Sequence, residues 1–249
     1  MTKQNSYEDL LNAPPASRKK IAEDLYDQRY EIRPGKVDRL PAKRRLKRIA
    51  IYKAIIGHGH QSILELGCGS GDLTYALVDH GEKIVGTDIS ANAVELALLR
   101  QKLWSLRGDQ IKKIEFKQMS AVQLDFPDAM FDWAVSTSMI EHLHPDDVDI
   151  HLSEVRRVLK AGGHYLIWCP NGLGHHDDRD VHLTMLSYSE WMEKLANAGF
   201  HRFRSTLTSR LPVVDARFKI FVERMLVLSR LPIMWSHLGV RNVLLVATK

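Results

Sequence analysis

Cysteine is scarce: Cys68 and Cys169 are the only two among 249 residues. They leave no disulfide framework and no cysteine pair at metal-ligand spacing, and this usage fits a reducing cytoplasm. Long apolar runs are also missing. No stretch reaches about 18 uncharged apolar residues, so no membrane-spanning helix is expected. The first residues, Thr2 to Asn5 followed by Glu8 and Asp9, lack the charged-then-apolar order of a secretory leader. No internal repeat or low-complexity tract occurs, which excludes repeat architectures.

A hydrophobic share of 45% supports a substantial core. Charge is uneven. The net +5 divides into +7 over residues 1–60 and −2 over the rest, with the basic excess peaking at Lys43, Arg44, Arg45, Lys47 and Arg48. That field suits a phosphate-bearing acceptor, an anionic membrane surface or RNA. A solvated helix face is the simpler account of it.

Residues 1–45 read as an N-terminal helical extension, with a helix near Ile21 to Tyr30 and breaks at Pro34-Gly35 and Pro41. A helix from Ala42 to Ile56 follows. Strands and helices then alternate, with strands at Ser62–Leu66, Lys83–Thr87, Ile114–Gln118, Phe131–Ser136 and His164–Cys169. This order predicts an α/β, doubly wound, mostly parallel sheet with helices on both faces. Late strands at Arg202–Thr208 and Asn242–Thr248 flank a segment, 211–240, that reads as an insertion in a domain spanning 46–249.

The densest signal is Ile63-Leu64-Glu65-Leu66-Gly67-Cys68-Gly69-Ser70-Gly71-Asp72. It puts a carboxylate at a strand end, then three alternating glycines, then a helix start. Backbone without side chains lets a nucleoside ligand approach closely. The spacing is G-x-G-x-G, not the dinucleotide G-x-G-x-x-G, and Glu65 suits a cationic ligand better than a pyrophosphate. Asp88, closing the next strand, offers two oxygens to a ribose diol.

These residues resemble those of Rossmann-like S-adenosylmethionine-dependent methyltransferases. The resemblance runs from about Ser62 to Phe200. It includes Gly86-Thr87-Asp88-Ile89-Ser90, Phe131-Asp132, Ile140-Glu141-His142-Leu143, Val158 to Gly163, Pro170-Asn171 and Ala198-Gly199-Phe200. It implies a seven-stranded sheet whose last strand is antiparallel. It also implies that Glu65, Gly67, Cys68, Gly69 and Gly71 hold the methionine part of S-adenosylmethionine, and that Asp88 and Ile89 hold ribose and adenine. Ser136 and Met139 would flank the sulfonium. Ser120 stands where the family often has an acid for the adenine amine, with Ala121 N–H beside it.

A hydroxyl acceptor benefits from a general base. Candidates are His142, His144, His175, His176 (beside Asp177 and Asp178) and His182, in the loops after the fourth and fifth strands. His142, His175 and His176 are the favoured catalytic set, and His144 before Pro145 is expected at the surface. Some relatives, the small-RNA 2′-O-methyltransferases and the ubiquinone-pathway O-methyltransferases, carry Glu-x-x-Glu-His here. Ser138 replaces the first glutamate, so no metal is expected.

Tyr26, Tyr30 and Arg33 are candidates to close over the cofactor. Phe218, Phe221, Val222 and Met225 make an apolar helical face broken by Arg217, Lys219 and Arg224, fitting a lid, a dimer contact or a membrane-surface helix. The favoured acceptor is a small molecule or glycan, through a hydroxyl, with a phosphate-bearing or lipid-linked form compatible. RNA ranks lower, because aromatic residues are not interleaved with the basic run as a stacking platform needs. A non-catalytic cofactor-binding partner protein is the remaining alternative. Oligomeric state is not readable.

Overall fold

The computed structural model describes residues 6–32, 37, 43–105, 113–172, 182–206, 213–215, 218, 221, 225 and 242–249. His175, His176, Arg33 and most of the 211–240 segment lie outside this set.

Helices α1 (Tyr7–Leu11), α2 (Pro15–Arg29) and α3 (Lys43–Ile56) precede the first strand. Then come β1 (Ser62–Leu66), α4 (Asp72–Ala76), β2 (Lys83–Asp88), α5 (Ala91–Ser105), β3 (Ile114–Gln118) and β4 (Phe131–Thr137). Two 3-10 turns, Ile140–His142 and Pro145–Asp147, lead into α6 (Val148–Val158) and β5 (Leu159–Pro170). The chain ends with α7 (Tyr188–Asn197), β6 (His201–Thr206), β7 (Val213–Asp215) and β8 (Asn242–Thr248).

The sheet order is β3-β2-β1-β4-β5-β8-β6-β7. The first five strands are parallel, and β8 runs antiparallel between β5 and β6. This is the expected doubly wound sheet, with one difference. The three-residue β7, from the segment read as an insertion, adds an eighth strand antiparallel to β6. Three residues carry too little periodic signal to be seen in the sequence. The N-terminal helix is also longer than expected. Pro15 opens it at the first helical position, where a missing N–H costs nothing, so the run continues from Pro15 instead of Ile21.

Strands β1, β2, β4 and β8 and the second half of β5 are buried on both faces, which is why they read as near-continuous apolar runs, whereas β3 and β6 are largely exposed. One face packs Leu64, Leu66, Ala134 and Tyr165 against Leu152 and Val155 of α6 and Trp191 and Leu195 of α7. The opposite face packs Ile63, Ile84, Val135 and Leu166 against Ile49, Tyr52 and Ile56 of α3 and Leu73 of α4. Register aligns Leu66 with Thr87 on one side and Ser136 on the other. Three strand ends therefore open onto one edge of the sheet.

The N-terminal helices are tied across that edge. Arg18 is buried and donates to Ala13 O at 3.0 Å, Asp147 Oδ1 at 2.9 Å and Asp146 Oδ2 at 2.8 Å. His144 is buried too, contrary to the surface position expected: α1 covers it, and its Nε2 donates to Leu11 O at 3.0 Å. At the other end of α2, Asp27 Oδ1 accepts from Ser90 Oγ at 2.6 Å and Asn92 N at 3.2 Å. Among the described residues, no helix is long and apolar enough to cross a membrane.

Replacing Arg18 by Ala removes three of these ties and should lower unfolding free energy by about 1–3 kcal/mol. Trypsin should then cut within α2, at Lys19, Lys20 or Arg29, faster than in the wild type, while the α/β core stays resistant.

Candidate cofactor and acceptor site

The cleft is built around the turn after β1. Gly67 has φ +69° and Gly69 φ +54°, left-handed conformations that side chains disfavour. Space closes the case for glycine: a Cβ on Gly67 would overlap the Met139 side chain, and one on Gly69 would overlap the Tyr30 hydroxyl. Cys68 is fully buried below, its thiol pushed up by burial, so it packs the turn and offers no reactive thiolate.

Asp88 ends β2 beside this turn. Its Oδ2 accepts from Gly69 N at 2.8 Å and its Oδ1 from Ser90 N at 3.0 Å. Burial raises its pKa, while those two N–H groups pull the other way and favour the carboxylate. Met119 N donates to Asp88 O at 2.8 Å and Gln118 donates to Ile89 O at 3.1 Å. The end of β3, with Ser120 and Ala121 next in sequence, is thereby held against Asp88 and Ile89. His151, absent from the sequence reading, fixes that loop from inside. Its Nδ1 donates to Ala121 O at 2.8 Å and its Nε2 accepts from the Tyr165 hydroxyl at 2.8 Å. Burial lowers its pKa to about 4, so it stays neutral.

Glu65 lies on the α3/α4 face of β1. One carboxylate oxygen accepts from the Thr74 hydroxyl, and Oε1 is buried with no hydrogen-bond partner among the described residues. Burial pushes its pKa to about 8, against the pull of Thr74 and Arg45. An orphaned carboxylate oxygen beside two glycines with no room for a Cβ fits a nucleoside ligand bearing an ammonium group. Thr74 was missed in the sequence; it sits on the first turn after the glycines, and nothing local marks it as Glu65's partner.

The opposite wall follows β4. Ser136 is fully buried, and Met139 reaches the glycine turn. The 3-10 turn then presents Glu141 and His142. Glu141 is buried, its Oε2 has no hydrogen-bond partner among the described residues, and burial pushes its pKa to about 8. His142 packs against Tyr7 and Tyr26 at ring-centroid distances of 5.9 Å each, and against His182 at 5.0 Å. Ligating atoms of Glu141, His142 and His182 all lie within 4.8 Å of one another. Sequence motifs suggested His142 and Glu141; His182 joins them only through folding, because Thr184 N donates to Glu141 O at 3.0 Å and its hydroxyl to Leu143 O at 2.8 Å.

Helix α2 roofs both walls. Tyr30 at its C-terminus covers Gly69, and Tyr26 one turn earlier covers His142. Tyr26 and Tyr30 stand four residues apart, roughly 6 Å of helical rise, so one helix reaches both the glycine turn and His142.

Glu65 binds more protons folded than unfolded between pH 4.5 and about 8. Its contribution to stability therefore falls as pH rises through that window. Glu65→Gln should gain in melting temperature relative to wild type from pH 5 to pH 8, with no divergence below pH 4.5; parallel curves would reject the buried-carboxylate assignment.

Residues 64–167 match the family described as methyltransferase domain. The chain is 29% identical over 145 residues to a probable S-adenosylmethionine-dependent methyltransferase of Mycolicibacterium smegmatis, covering 56% of this chain and 52% of that protein. It is 32% identical over 139 residues to a phosphatidylethanolamine N-methyltransferase of Cereibacter sphaeroides, covering 55% of this chain and 61% of that one. The chain thus spans little more than half the length of these relatives. The solved YcgJ protein of Bacillus subtilis shares the fold with a TM-score of 0.60 at 18% identity, over 83% of this chain and 98% of that one. Residues 64–167 thus carry a methyltransferase domain, and the sheet order and acid-tipped glycine turn are similar to those of the Rossmann-like S-adenosylmethionine-dependent methyltransferases, a family whose cofactor is S-adenosylmethionine.

Proposed function

We propose that the chain transfers a methyl group from S-adenosylmethionine to a hydroxyl of a small-molecule or glycan acceptor. When bound, S-adenosylmethionine supplies a methyl group whose C–S bond breaks toward sulfur as the new O–C bond forms, leaving S-adenosylhomocysteine. Glu65 holds the ammonium end, and Asp88 takes the ribose hydroxyls while Gly69 N and Ser90 N keep its carboxylate oriented. Ile89, Ser120 and Ala121 flank the adenine. Met139 and the backbone at Ser136 border the reacting methyl. Alignment of this kind supplies up to about 7–11 kcal/mol of acceleration in favourable cases.

The Glu141–His142–His182 cluster carries the reading. A neutral amine attacks with its own lone pair, whereas a hydroxyl must lose its proton, a service worth roughly 10²–10⁴-fold. A buried carboxylate with two imidazoles, roofed by the helix that also covers the glycine turn, supports that service. His175 and His176 remain further candidates for the proton acceptor. Exclusion of water falls to Tyr7, Tyr26 and Tyr30.

Two residues of the basic run weigh against RNA as acceptor, although Lys47 beside them is exposed. Arg45 pairs with Asp72 at 3.1 Å, and Arg48 lies over the Trp168 ring at 4.2 Å. Both turn toward the protein. An apolar or lipid-linked acceptor gains support from Phe218, Phe221 and Met225, all exposed at helical spacing, and from the relative named for phosphatidylethanolamine.

Asp88→Ala should weaken S-adenosylhomocysteine binding roughly 10- to 100-fold by calorimetry, the equivalent of about one to two charge-assisted hydrogen bonds. Incubation of methyl-labelled cofactor with fractionated extract should put the label on a small molecule or glycan as an O-methyl ether. Label recovered on nitrogen, on RNA or on protein would overturn the acceptor assignment.

A further inference from the structure

We infer that Glu141, His142 and His182 form a binding site for one borderline divalent transition cation, such as Zn²⁺, Mn²⁺ or Co²⁺. The inference rests on the transferase reading and names the device that activates its acceptor. Three observations carry it. The donor atoms of all three residues lie within 4.8 Å of one another. Donors on a tetrahedral cation at about 2.1 Å stand about 3.4 Å apart, so small side-chain rotations close the remaining gap. One of the three, Glu141, is 1% exposed and its Oε2 meets no donor among the described residues. A buried carboxylate oxygen without a partner is costly, and a cation is the partner that repays it most.

The site is also built, in the sense that its frame is set before any cation enters. His142 N donates to Met139 O at 2.9 Å, closing the turn that presents Glu141 and His142 together. Thr184 staples the segment carrying His182 to the same turn through Glu141 O and Leu143 O. Tyr7 and Tyr26 pack on the His142 ring and limit its rotation. Such surroundings orient metal-binding imidazoles.

The donor chemistry selects the cation. Two imidazoles and one carboxylate suit zinc and its neighbours, while magnesium and calcium prefer oxygen alone. Three protein donors leave positions open, the pattern of a catalytic site and not a structural one. Ser138, where a fourth protein donor would stand in the glutamate-rich relatives, has φ +55° and is exposed. The open positions therefore fall to the acceptor. A hydroxyl oxygen seated there releases its proton to solvent at a lower pH than when free.

The test uses the full chain, tag removed and stripped with chelator. Titration with Co²⁺ should raise visible d–d bands that saturate at one equivalent. Glu141→Gln and His182→Ala should each weaken that binding at least roughly tenfold, with S-adenosylhomocysteine affinity unchanged as the check on folding. Zn²⁺ calorimetry on wild type covers the case in which a variant does not fold, and should give one site. Absence of bands and heat in wild type, or bands that persist in both variants, would overturn the site. If S-adenosylhomocysteine fails to bind wild type, the transferase reading falls instead, whatever the cation does.

Discussion

The Asp88 carboxylate holds three separated pieces of chain at one cleft. One oxygen takes the N–H of Gly69 from the turn after β1, and the other takes that of Ser90 at the start of α5. Ser90 in turn gives its hydroxyl to Asp27 on α2. Hydrogen bonds to a charged acceptor are shorter and stronger than those to a neutral one. The glycine turn is thereby locked to the neighbouring strand, and the roof helix is locked to both. Losing the left-handed turn at Gly69 would break this chain at its first link.

Roof and floor serve different chemical ends. Tyr30 and Met139 press on the glycine turn, while Tyr7 and Tyr26 press on His142. The same helix thus covers both the glycine turn and the Glu141–His142–His182 cluster. Arg18, anchored on Asp146 and Asp147, sets the angle of that helix from the far end. The basic character of the N-terminal region is therefore partly internal wiring, not a surface field.

Two buried carboxylates, Glu65 and Glu141, stand on either side of this cleft, each with an oxygen lacking a donor. Burial pushes both toward the neutral form, to about 8. A fold optimised only for stability would replace them with apolar groups. Two such carboxylates beside one cleft follow the pattern of sites whose buried charges are compensated by what they bind. In the proposed reading, Glu65 meets an ammonium group, and Glu141, with two imidazoles beside it, meets a cation.

Much of this was legible in the residues themselves. Parallel strands buried on both faces must be apolar at consecutive positions, so β1, β2, β4 and β5 announce themselves, and a turn needing positive φ must be glycine at Gly67, Gly69 and Gly71. Both are local constraints, written within a few residues. Contacts across long stretches of chain are not. Arg18 meets its aspartates 128 and 129 residues away, His182 reaches Glu141 through a bond made by Thr184, and His144 is covered by a helix that precedes it by more than a hundred residues. The sequence by itself determined the sheet, the glycine turn and the acid at Asp88, because steric and hydrophobic rules act between neighbours. Only the closed tertiary structure decided which histidines share a carboxylate and which helix roofs them, because those pairings depend on where distant segments meet once the core is packed.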